Sequence, residues 1–223
     1  MKHGRESRKE ETELWAEKLF VSKEEDFDYA RELGQKEDVP PIALTATGGK
    51  LLSMILKFKG AKKVVEVGTL FGYSGLWIAE AVGADGKLYT MESSPKNVEV
   101  AKKAFEHYGV SDRVEIVRGA AANELPKISE HGPFDAIFID ADKSNYPTYL
   151  DWAEKNIKKG GLIIGDNTYF FGDVHKTLDE IEERDQKGYL GMKEFNERLA
   201  DSKKYLSVLI PTGEGMTVAE KKF

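Results

Sequence analysis

Residues 136–143, AIFIDADK, hold a short apolar run that ends abruptly in two aspartates and a lysine. Polar residues do not alternate with apolar ones inside the run, which is typical of a central parallel strand covered on both faces. Similar runs occur four more times between residues 63 and 164, and stretches with helical spacing separate them. This alternation predicts an α/β fold: a doubly wound parallel sheet with helices on both faces.

The predicted sheet is completed by a different pattern near the C-terminus. The five predicted parallel strands are Lys63–Val67, Lys87–Met91, Val114–Val117, Ala136–Ile139 and Leu162–Ile164. After Asp166 come about forty mostly polar, helix-prone residues, and then two β-like runs at Tyr205–Ile210 and Met216–Glu220. The residues between these two runs, PTGEG, are typical of a hairpin turn. We therefore expect seven strands, mostly parallel, that end in a C-terminal antiparallel hairpin.

The chain before the first strand lies outside the alternating pattern. Residues 12–33 and 47–58 place apolar residues at helical spacing, which predicts extra N-terminal helices. The charges of the first segment are expected to form a solvated face. We expect a mobile tail over residues 1–11 and a single domain over residues 12–223, because no linker or repeat interrupts the rest.

Composition and charge exclude several classes of function. The 223 residues include 33 basic and 39 acidic side chains, a net charge of −6 that disfavours nucleic acid or an anionic membrane as a partner. The chain has no cysteine, which excludes disulfides, thiolate zinc sites and a cysteine nucleophile. The N-terminus is too charged for a signal peptide, and no apolar run reaches the roughly 18–20 residues of a membrane span. We therefore expect a cytoplasmic protein.

Polar residues end four of the five predicted parallel strands. In an open parallel sheet, ligands bind beyond the carboxyl ends of the strands. The residues at this edge are Glu66 and Gly68 at the end of the first strand, Glu92 at the end of the second, Asp140 after the fourth and Asp166-Asn167 after the fifth. The sequence therefore predicts a ligand-binding crevice along this edge.

The loop after the first strand, EVGTLFGYSG at residues 66–75, is rich in glycine. Leu70 stands where a dinucleotide-binding loop needs its second glycine, and the Gly-Lys-Ser/Thr of a phosphate-binding loop is absent. Glu66, which precedes the glycines, suits a ligand with positive charge. A tight turn between strand and helix is the alternative explanation of the glycines. Glu92 suits the two hydroxyls of a ribose, and an exposed carboxylate at a strand end is the alternative.

Asp140, Asp166 and Asn167 would offer three oxygen ligands at the same edge. Such ligands suit Mg²⁺, Mn²⁺ or Ca²⁺ better than zinc, and a solvated acidic rim is the alternative. Lys143 follows Asp140 by three positions. A nearby metal ion disfavours the charged form of a lysine, so Lys143 is a candidate general base, and an ordinary surface lysine is the alternative.

Taken together, these motifs resemble class I S-adenosylmethionine-dependent methyltransferases. The resemblance is stronger to the metal-dependent O-methyltransferases of the catechol and caffeoyl-CoA type, and it spans about residue 44 to the C-terminus. The stretches that carry it are VVEVGTLFGYS, LYTMESSPKNVEVAKK, FDAIFIDADKSNYPTYL, KKGGLIIGDNT and PTGEGMTVAEKK. It implies a Rossmann-like fold, S-adenosyl-L-methionine and a divalent cation (Mg²⁺, Mn²⁺ or Ca²⁺) as cofactors, an aromatic vicinal diol as substrate, and a homodimer.

The resemblance also implies roles for individual residues. The methionine part of the cofactor would contact Glu66, Gly68, Thr69 and Ser74. Glu92 would hold the ribose, and Ala121 would lie beside the adenine. The remaining residues that would border the cofactor are Leu44, Thr45, Asp140 and Asp142. Asp140, Asp166 and Asn167 would bind the metal ion, and the catalytic residues would be Lys143, as general base, and Asp140.

Two segments depart from the family pattern. Residues 44–50, LTATGGK, replace an acidic pair of many relatives, and Tyr169-Phe170-Phe171 stands where plant members have a tryptophan and an asparagine. Three alternatives remain open at this point. They are a metal-independent methyltransferase acting on another class of small molecule, an NAD(P)-dependent oxidoreductase and a non-catalytic binding protein.

Overall fold

The computed structural model describes residues 11–21 and 27–223, so most of the predicted N-terminal tail lies outside the described residues. The helices of the described part are α1 (Glu11–Phe20), α2 (Asp28–Lys36), α3 (Ala46–Lys59), α4 (Tyr73–Val82), α5 (Pro95–His107), α6 (Ala121–Ile128), α7 (Tyr146–Asn156) and α8 (Gln186–Leu199). Its strands are β1 (Lys63–Val67), β2 (Lys87–Glu92), β3 (Val114–Arg118), β4 (Phe134–Ile139), β5 (Ile157–Asp166), β6 (Tyr205–Ile210) and β7 (Met216–Lys221).

The strands form one sheet in the order β3-β2-β1-β4-β5-β7-β6. β2 pairs with β3 and β4 pairs with β5 in parallel, whereas β7 runs antiparallel to both β5 and β6. The predicted α/β fold with a mostly parallel seven-stranded sheet and a C-terminal hairpin is confirmed. The strand order reverses at β1 and β4, which is the kind of position where open sheets of this class bind their ligands.

The backbone groups into two compact units. The first unit comprises the chain up to residue 64 together with residues 69–119, and the second comprises residues 65–68 and 120–223. The prediction of a single domain over residues 12–223 therefore stays a prediction.

In the first unit, α4 and α5 pack on β2, and α3 packs against α4. Local sequence explains where these helices begin. Thr45 caps α3 by accepting a hydrogen bond from the Gly48 amide at 3.1 Å. Ser94 caps α5 in the same way, and Pro95 supplies a favourable first residue for the helix. Thr45 is itself predicted to border the ligand, and Ser94 follows the predicted ribose-binding residue Glu92 by two positions.

In the second unit, α7 packs on β4 and β5, and α8 packs on α7. Residues 136–139 of β4 are completely buried, as the absence of polar alternation predicts. β5 begins at Ile157, five residues before the predicted start, because Ile157 pairs with Phe134 ahead of a polar and glycine-containing stretch. Among the described residues, no helix is both long enough and apolar enough to span a membrane.

Candidate active site

The carboxyl ends of β4 and β5 lie side by side in the second unit. Their parallel register pairs Ile139 with Gly165, so Asp140 and Asp166 stand at the next position of the two strands. Neighbouring strands are about 4.8 Å apart, which places the two aspartates at one edge. Asp166 and Asn167 are buried, and Asp140 is half-buried. The fold thus brings together the three residues predicted to bind a metal ion.

The chemistry of these three side chains fits a divalent cation. Carboxylate and amide oxygens are the ligands that Mg²⁺, Mn²⁺ and Ca²⁺ prefer, and burying carboxylates is costly unless positive charge compensates them. In the part of the chain that the structure describes, no group of three or more His, Cys, Asp or Glu residues is arranged to hold a metal ion. With two carboxylates and one amide, this set would leave further positions to water or substrate.

Lys143 lies at the same edge, in a single 3-10 turn (Lys143–Asn145) between β4 and α7. Its Nζ atom is 3.2 Å from Oδ1 of Asp140 and 3.0 Å from the hydroxyl of Tyr146. The side chains of Lys143 and Asp140 are only 15% and 16% exposed, so water screens their interaction less than it would at the surface. The amine is therefore held beside the predicted metal ligands.

Tyr146 connects this lysine to the ends of both strands. Its hydroxyl is 3.0 Å from the carbonyl oxygen of Ile139 and 2.9 Å from that of Asp166. The hydroxyl has one proton, so it donates to one of these carbonyls while it accepts a hydrogen bond from Lys143. The ring is completely buried and packs edge-on against Phe195 at 5.1 Å. The position of the Lys143 amine thus depends on a rigid, buried side chain.

Helix α8 packs unusually closely against the turn that carries Lys143. A Cβ atom added to Gly191 would lie 2.4 Å from the carbonyl oxygen of Lys143, which is too close for any other residue. At Gly188, an added Cβ would lie 3.3 Å from the Phe170 ring and 3.6 Å from Cβ of Lys143. The two glycines of α8, which belongs to the segment after Phe171, therefore allow this helix to pack directly against Lys143.

Asp142 is exposed, yet other side chains hold both of its carboxylate oxygens. Oδ1 accepts a hydrogen bond from the Tyr149 hydroxyl at 2.6 Å, and Oδ2 accepts one from Nδ2 of Asn145. Burial, and then the hydrogen bond and the charge of Asp142, raise the pKa of Tyr149 well above its ordinary value. The carboxylate therefore has a fixed orientation.

The loop after β5 combines aromatic rings with a strained backbone. Asn167, Phe170 and Phe171 have φ angles of 57°, 49° and 57°, values that residues other than glycine rarely adopt. The Phe170 ring is buried, whereas Phe171 is 57% exposed, and the two ring centroids are 5.5 Å apart. Backbone strain of this kind is concentrated at functional sites, and here it accompanies an exposed aromatic ring, Phe171, four positions after Asn167.

In the first unit, Glu92 ends β2 with both carboxylate oxygens bound to backbone amides. Oε2 accepts a hydrogen bond from the Leu70 amide at 2.8 Å, and Oε1 accepts one from the Ser94 amide at 2.8 Å. Leu70 adopts a φ of 52° to direct its amide in this way. Each carboxylate oxygen keeps a further lone pair, so Glu92 can still accept two ribose hydroxyls.

Four other predicted cofactor residues lie in the first unit. Thr69 is buried, and its hydroxyl oxygen is 2.5 Å from that of Thr90, so its side chain ties the glycine-rich loop to β2. Ser74 lies in the first turn of α4 and is nearly buried. Leu44 and Thr45 immediately precede α3, with Leu44 buried and Thr45 acting as the cap.

The second unit contains Glu66, Gly68 and Ala121. Glu66 is completely buried in β1, and Ala121 is the first residue of α6. Gly68 has a φ of 104°, and an added Cβ would lie 2.2 Å from the carbonyl oxygen of Asp140. The Asp140 amide also donates to the Val67 carbonyl at 2.9 Å. Glycine at position 68 therefore lets the ends of β1 and β4 approach closely.

The sequence did not predict a role for Tyr146 or for Gly191. Tyr146 follows Lys143 by three positions, and residues three apart in a 3-10 turn lie on the same side, so the spacing itself was a usable signal. Gly191 offered none, because its contact with Lys143 joins segments far apart in the sequence.

Comparison with known proteins identifies the family. The family model described as O-methyltransferase matches residues 19–222. A catechol O-methyltransferase from Mycobacterium tuberculosis is 39% identical over 145 residues, which cover 65% of this chain and 66%, just under two thirds, of that protein. Caffeoyl-CoA O-methyltransferase 5 from Nicotiana tabacum is 32% identical over 208 residues, which cover 91% of this chain and 87% of the tobacco protein.

Solved structures agree with the sequence relatives. An O-methyltransferase from Bacillus cereus, crystallised in complex with SAH (S-adenosylhomocysteine), superposes with a TM-score of 0.87 and 30% sequence identity. The superposition covers 95% of this chain and 97% of the Bacillus chain. Since the family model spans most of the sequence and the same architecture recurs in these relatives, the chain belongs to the O-methyltransferase family of class I S-adenosylmethionine-dependent enzymes.

Proposed function

We propose that this enzyme methylates one hydroxyl of a catechol-like vicinal diol with the assistance of a divalent cation. The observation that carries the proposal is the cluster of Lys143, Asp140 and Tyr146, joined by hydrogen bonds at the ends of β4 and β5 next to Asp166 and Asn167. The names of the catechol and caffeoyl-CoA relatives support a diol as the acceptor.

Asp140, Asp166 and Asn167 would hold the cation, for which Mg²⁺ is the first candidate. When bound, S-adenosylmethionine would supply a methyl group on a positively charged sulfur, and the cation would favour ionisation of the acceptor hydroxyl. Asp166 and Asn167 are themselves buried and shielded from bulk water. Electrostatic interactions are stronger in such surroundings than in water.

We assign to Nζ of Lys143, in the neutral form that a bound divalent cation would favour, the acceptance of the proton that leaves the acceptor hydroxyl. Tyr146 keeps this amine at the strand ends, 3.2 Å from Oδ1 of Asp140. Holding the base and the acceptor at a fixed separation removes the entropic cost of bringing them together. The buried Tyr146 and the close contact with α8 would maintain that separation.

The proposed contacts of the cofactor are those that the sequence predicted. We assign the methionine part to Glu66, Gly68, Thr69 and Ser74, the ribose to Glu92, the adenine to Ala121, and the border of the site to Leu44, Thr45, Asp140 and Asp142. Thr69 already uses its hydroxyl in the pair with Thr90 and its backbone N–H in a hydrogen bond to the Met91 carbonyl, so the remaining lone pairs of its oxygen atoms are the available contact. For Glu92, the two free lone pairs support contact with both ribose hydroxyls.

The loop after β5, which carries Phe170 and Phe171, would form one wall of the acceptor site. Phe171 exposes an aromatic face, and the buried Phe170 supports it from behind. An aromatic diol could pack against this face, since offset and edge-on ring pairs are favourable. A catechol would offer an aromatic ring to Phe171 and two adjacent oxygen atoms to a cation held by the proposed metal ligands.

The proposal extends to location and assembly. We propose that the enzyme works in the cytoplasm as a homodimer on a small-molecule substrate, with residues 12–223 as one domain. The net charge of −6 supports the absence of nucleic-acid and membrane partners.

One observation favours a second candidate, a metal-independent methyltransferase. Lys143 already places positive charge 3.2 Å from Asp140, so part of the compensation that a cation would provide is present in the chain itself. This candidate predicts that turnover survives complete removal of divalent ions.

A single assay series tests both candidates. The full chain is incubated with S-adenosylmethionine and a panel of vicinal diols and matched monophenols, before and after dialysis against a chelator. We expect methylation of diols only, loss of activity after dialysis and recovery with Mg²⁺. The variant Asp166→Asn, of equal size but lower charge, should need more Mg²⁺ for half-maximal rate. Turnover that is unaffected by chelation would support the second candidate, and absence of turnover on every diol would refute the first.

A further inference from the structure

Arg31 of α2 is an exception to the solvated charges expected for the N-terminal helices. Its guanidinium carbon lies 3.8 Å from the centroid of the Tyr73 ring. Nη2 of the same group donates a hydrogen bond to the carbonyl oxygen of Leu44 at 2.8 Å. Both contacts lie within the first unit, and the arginine is half-buried. The charge therefore points into the fold and away from bulk water.

The two contacts of Arg31 join two segments that are assigned to the cofactor. Leu44 ends the loop before α3, and the next residue, Thr45, caps that helix. Tyr73 is the first residue of α4, directly after the left-handed turn at Gly72, and it is buried. Arg31 thus links the loop at Leu44 to the end of the glycine-rich loop.

Helix α2 has other anchors that do not involve Arg31. Phe27, which precedes the helix, packs edge-on against Trp77 and Tyr108, each with a centroid distance of 5.0 Å. Near the other end, Glu37 forms an ion pair with Lys103 of α5 at 3.0 Å. The helix therefore has contacts at both ends that would keep it in place if the Arg31 guanidinium were removed.

We propose that Arg31 is a positioning residue of the cofactor site, because it holds the backbone of Leu44 and Thr45 against the first turn of α4. The proposal rests on the proposed function, which assigns Leu44, Thr45 and Ser74 to the cofactor. Arg31 acts through these segments without touching the cofactor itself, and this gives the N-terminal helices a role in binding.

The chemistry of the two contacts requires an arginine. A guanidinium is planar, so it stacks on the face of an aromatic ring while an N–H in its plane reaches a carbonyl. A lysine at this position could reach the Leu44 carbonyl, but its compact ammonium cannot also stack as a plane on Tyr73. Arg31→Lys should therefore retain only part of the function. Arg31→Met keeps only an apolar stem and should lose both contacts.

The test measures binding of S-adenosylhomocysteine to the full chain by calorimetry, at a temperature where every variant is folded. We expect Arg31→Met to weaken binding about tenfold, because the released segment at Leu44 and Thr45 must then be ordered when the cofactor binds. Arg31→Lys should lie between that variant and the wild type. In the diol assay, the KM for S-adenosylmethionine should rise in the same order, while kcat at saturating cofactor stays the same.

Lys103→Met is the matched control, since it removes the ion pair between α2 and α5 but leaves the contacts of Arg31 intact. It should bind S-adenosylhomocysteine as the wild type does. Equal affinity of Arg31→Met and wild type would overturn the inference, and so would equal weakening by Arg31→Met and Lys103→Met. Failure of the wild type itself to bind S-adenosylhomocysteine would instead overturn the proposed function on which the inference rests.

Discussion

Two carboxylates at the edge of the sheet are held in opposite ways. Glu92 is fixed by two backbone amides. That of Ser94 lies two residues further along the chain, and that of Leu70 belongs to the glycine-rich loop. Asp140 is bound by the side chain of Lys143, which is in turn held by Tyr146. The first arrangement depends on local backbone conformation, and the second depends on how helices pack behind it.

This difference indicates which property each region controls. A carboxylate fixed by amides is a stable acceptor for hydroxyl groups, so substitutions at Glu92 should change affinity for the cofactor. An amine held by a network of side chains is suited to moving a proton, so substitutions around Lys143 should change the rate. Single substitutions in the two regions test whether one controls cofactor affinity and the other the reaction rate.

The largest effect is expected for Lys143→Ala. Loss of a general base typically lowers kcat by about 10²-fold to 10⁴-fold, while the Kd for S-adenosylhomocysteine should remain that of the wild type. Initial rates and calorimetry measure the two quantities. Lys158→Ala is a suitable control, because Lys158 is an exposed lysine paired with Asp135 in the same unit. An unchanged rate in Lys143→Ala would remove the lysine from the mechanism.

Glu92→Ala should show the converse result. Each charge-assisted hydrogen bond to the ribose contributes roughly 1.5–3 kcal/mol, so binding of S-adenosylhomocysteine should weaken about 10-fold to 100-fold. The kcat at saturating cofactor should change little. Glu115→Ala on the adjacent strand β3 removes a more exposed glutamate, paired with Lys87 at 3.7 Å, and serves as the control. Wild-type affinity in Glu92→Ala would contradict the ribose assignment.

Tyr146→Phe sharpens the comparison by removing one hydroxyl and keeping the ring. Without its hydrogen bond to Tyr146, Lys143 should be less well positioned, and we expect kcat to fall about tenfold with no change in cofactor affinity. Tyr205→Phe removes another buried hydroxyl, which binds Glu154 at 2.6 Å, and should leave kcat unchanged. If both variants lower the rate equally, the effect comes from general loss of packing and the positioning role is wrong.

The sequence predicted those parts of this arrangement that depend on local signals. The bounds of β1 and β6 were predicted correctly, because short apolar runs between turn residues define a buried strand. The positions of Asp140 and Asp166 at one edge followed from the rule that ligands bind beyond the carboxyl ends of parallel strands. β5 was predicted too short, because Lys158 and Lys159 are exposed and interrupt the apolar pattern.

The remaining features depend on contacts between distant residues. Tyr146 bonds to the Asp166 carbonyl, twenty positions away, and Arg31 bonds to the Leu44 carbonyl from a different helix. No periodicity or motif encodes such a hydrogen bond, since it exists only after the helices have packed. The sequence therefore predicted the chemically reactive residues, and of the supporting contacts only the Lys143–Tyr146 spacing left a local signal.

The smallest expected effect concerns stability at alkaline pH and tests how firmly Asp142 is held. Burial and Asp142 raise the pKa of Tyr149 above its ordinary value of 10.0. Above about pH 10, the unfolded chain loses this phenolic proton while the folded chain keeps it, so the stabilisation by Tyr149 is complete below that pH and declines above it. At pH 8, Tyr149→Phe should lower the free energy of unfolding by about 1 kcal/mol, because one hydrogen bond is lost.

Denaturant titrations of wild type and Tyr149→Phe at pH 8, 10 and 11 follow this difference directly. The stability advantage of the wild type should shrink as the pH rises through this range, since only the wild type has the linked proton at position 149. A difference that stays constant from pH 8 to 11 would show that Tyr149 ionises alike in both states. In that case Asp142 would not be held by a buried, neutral phenol.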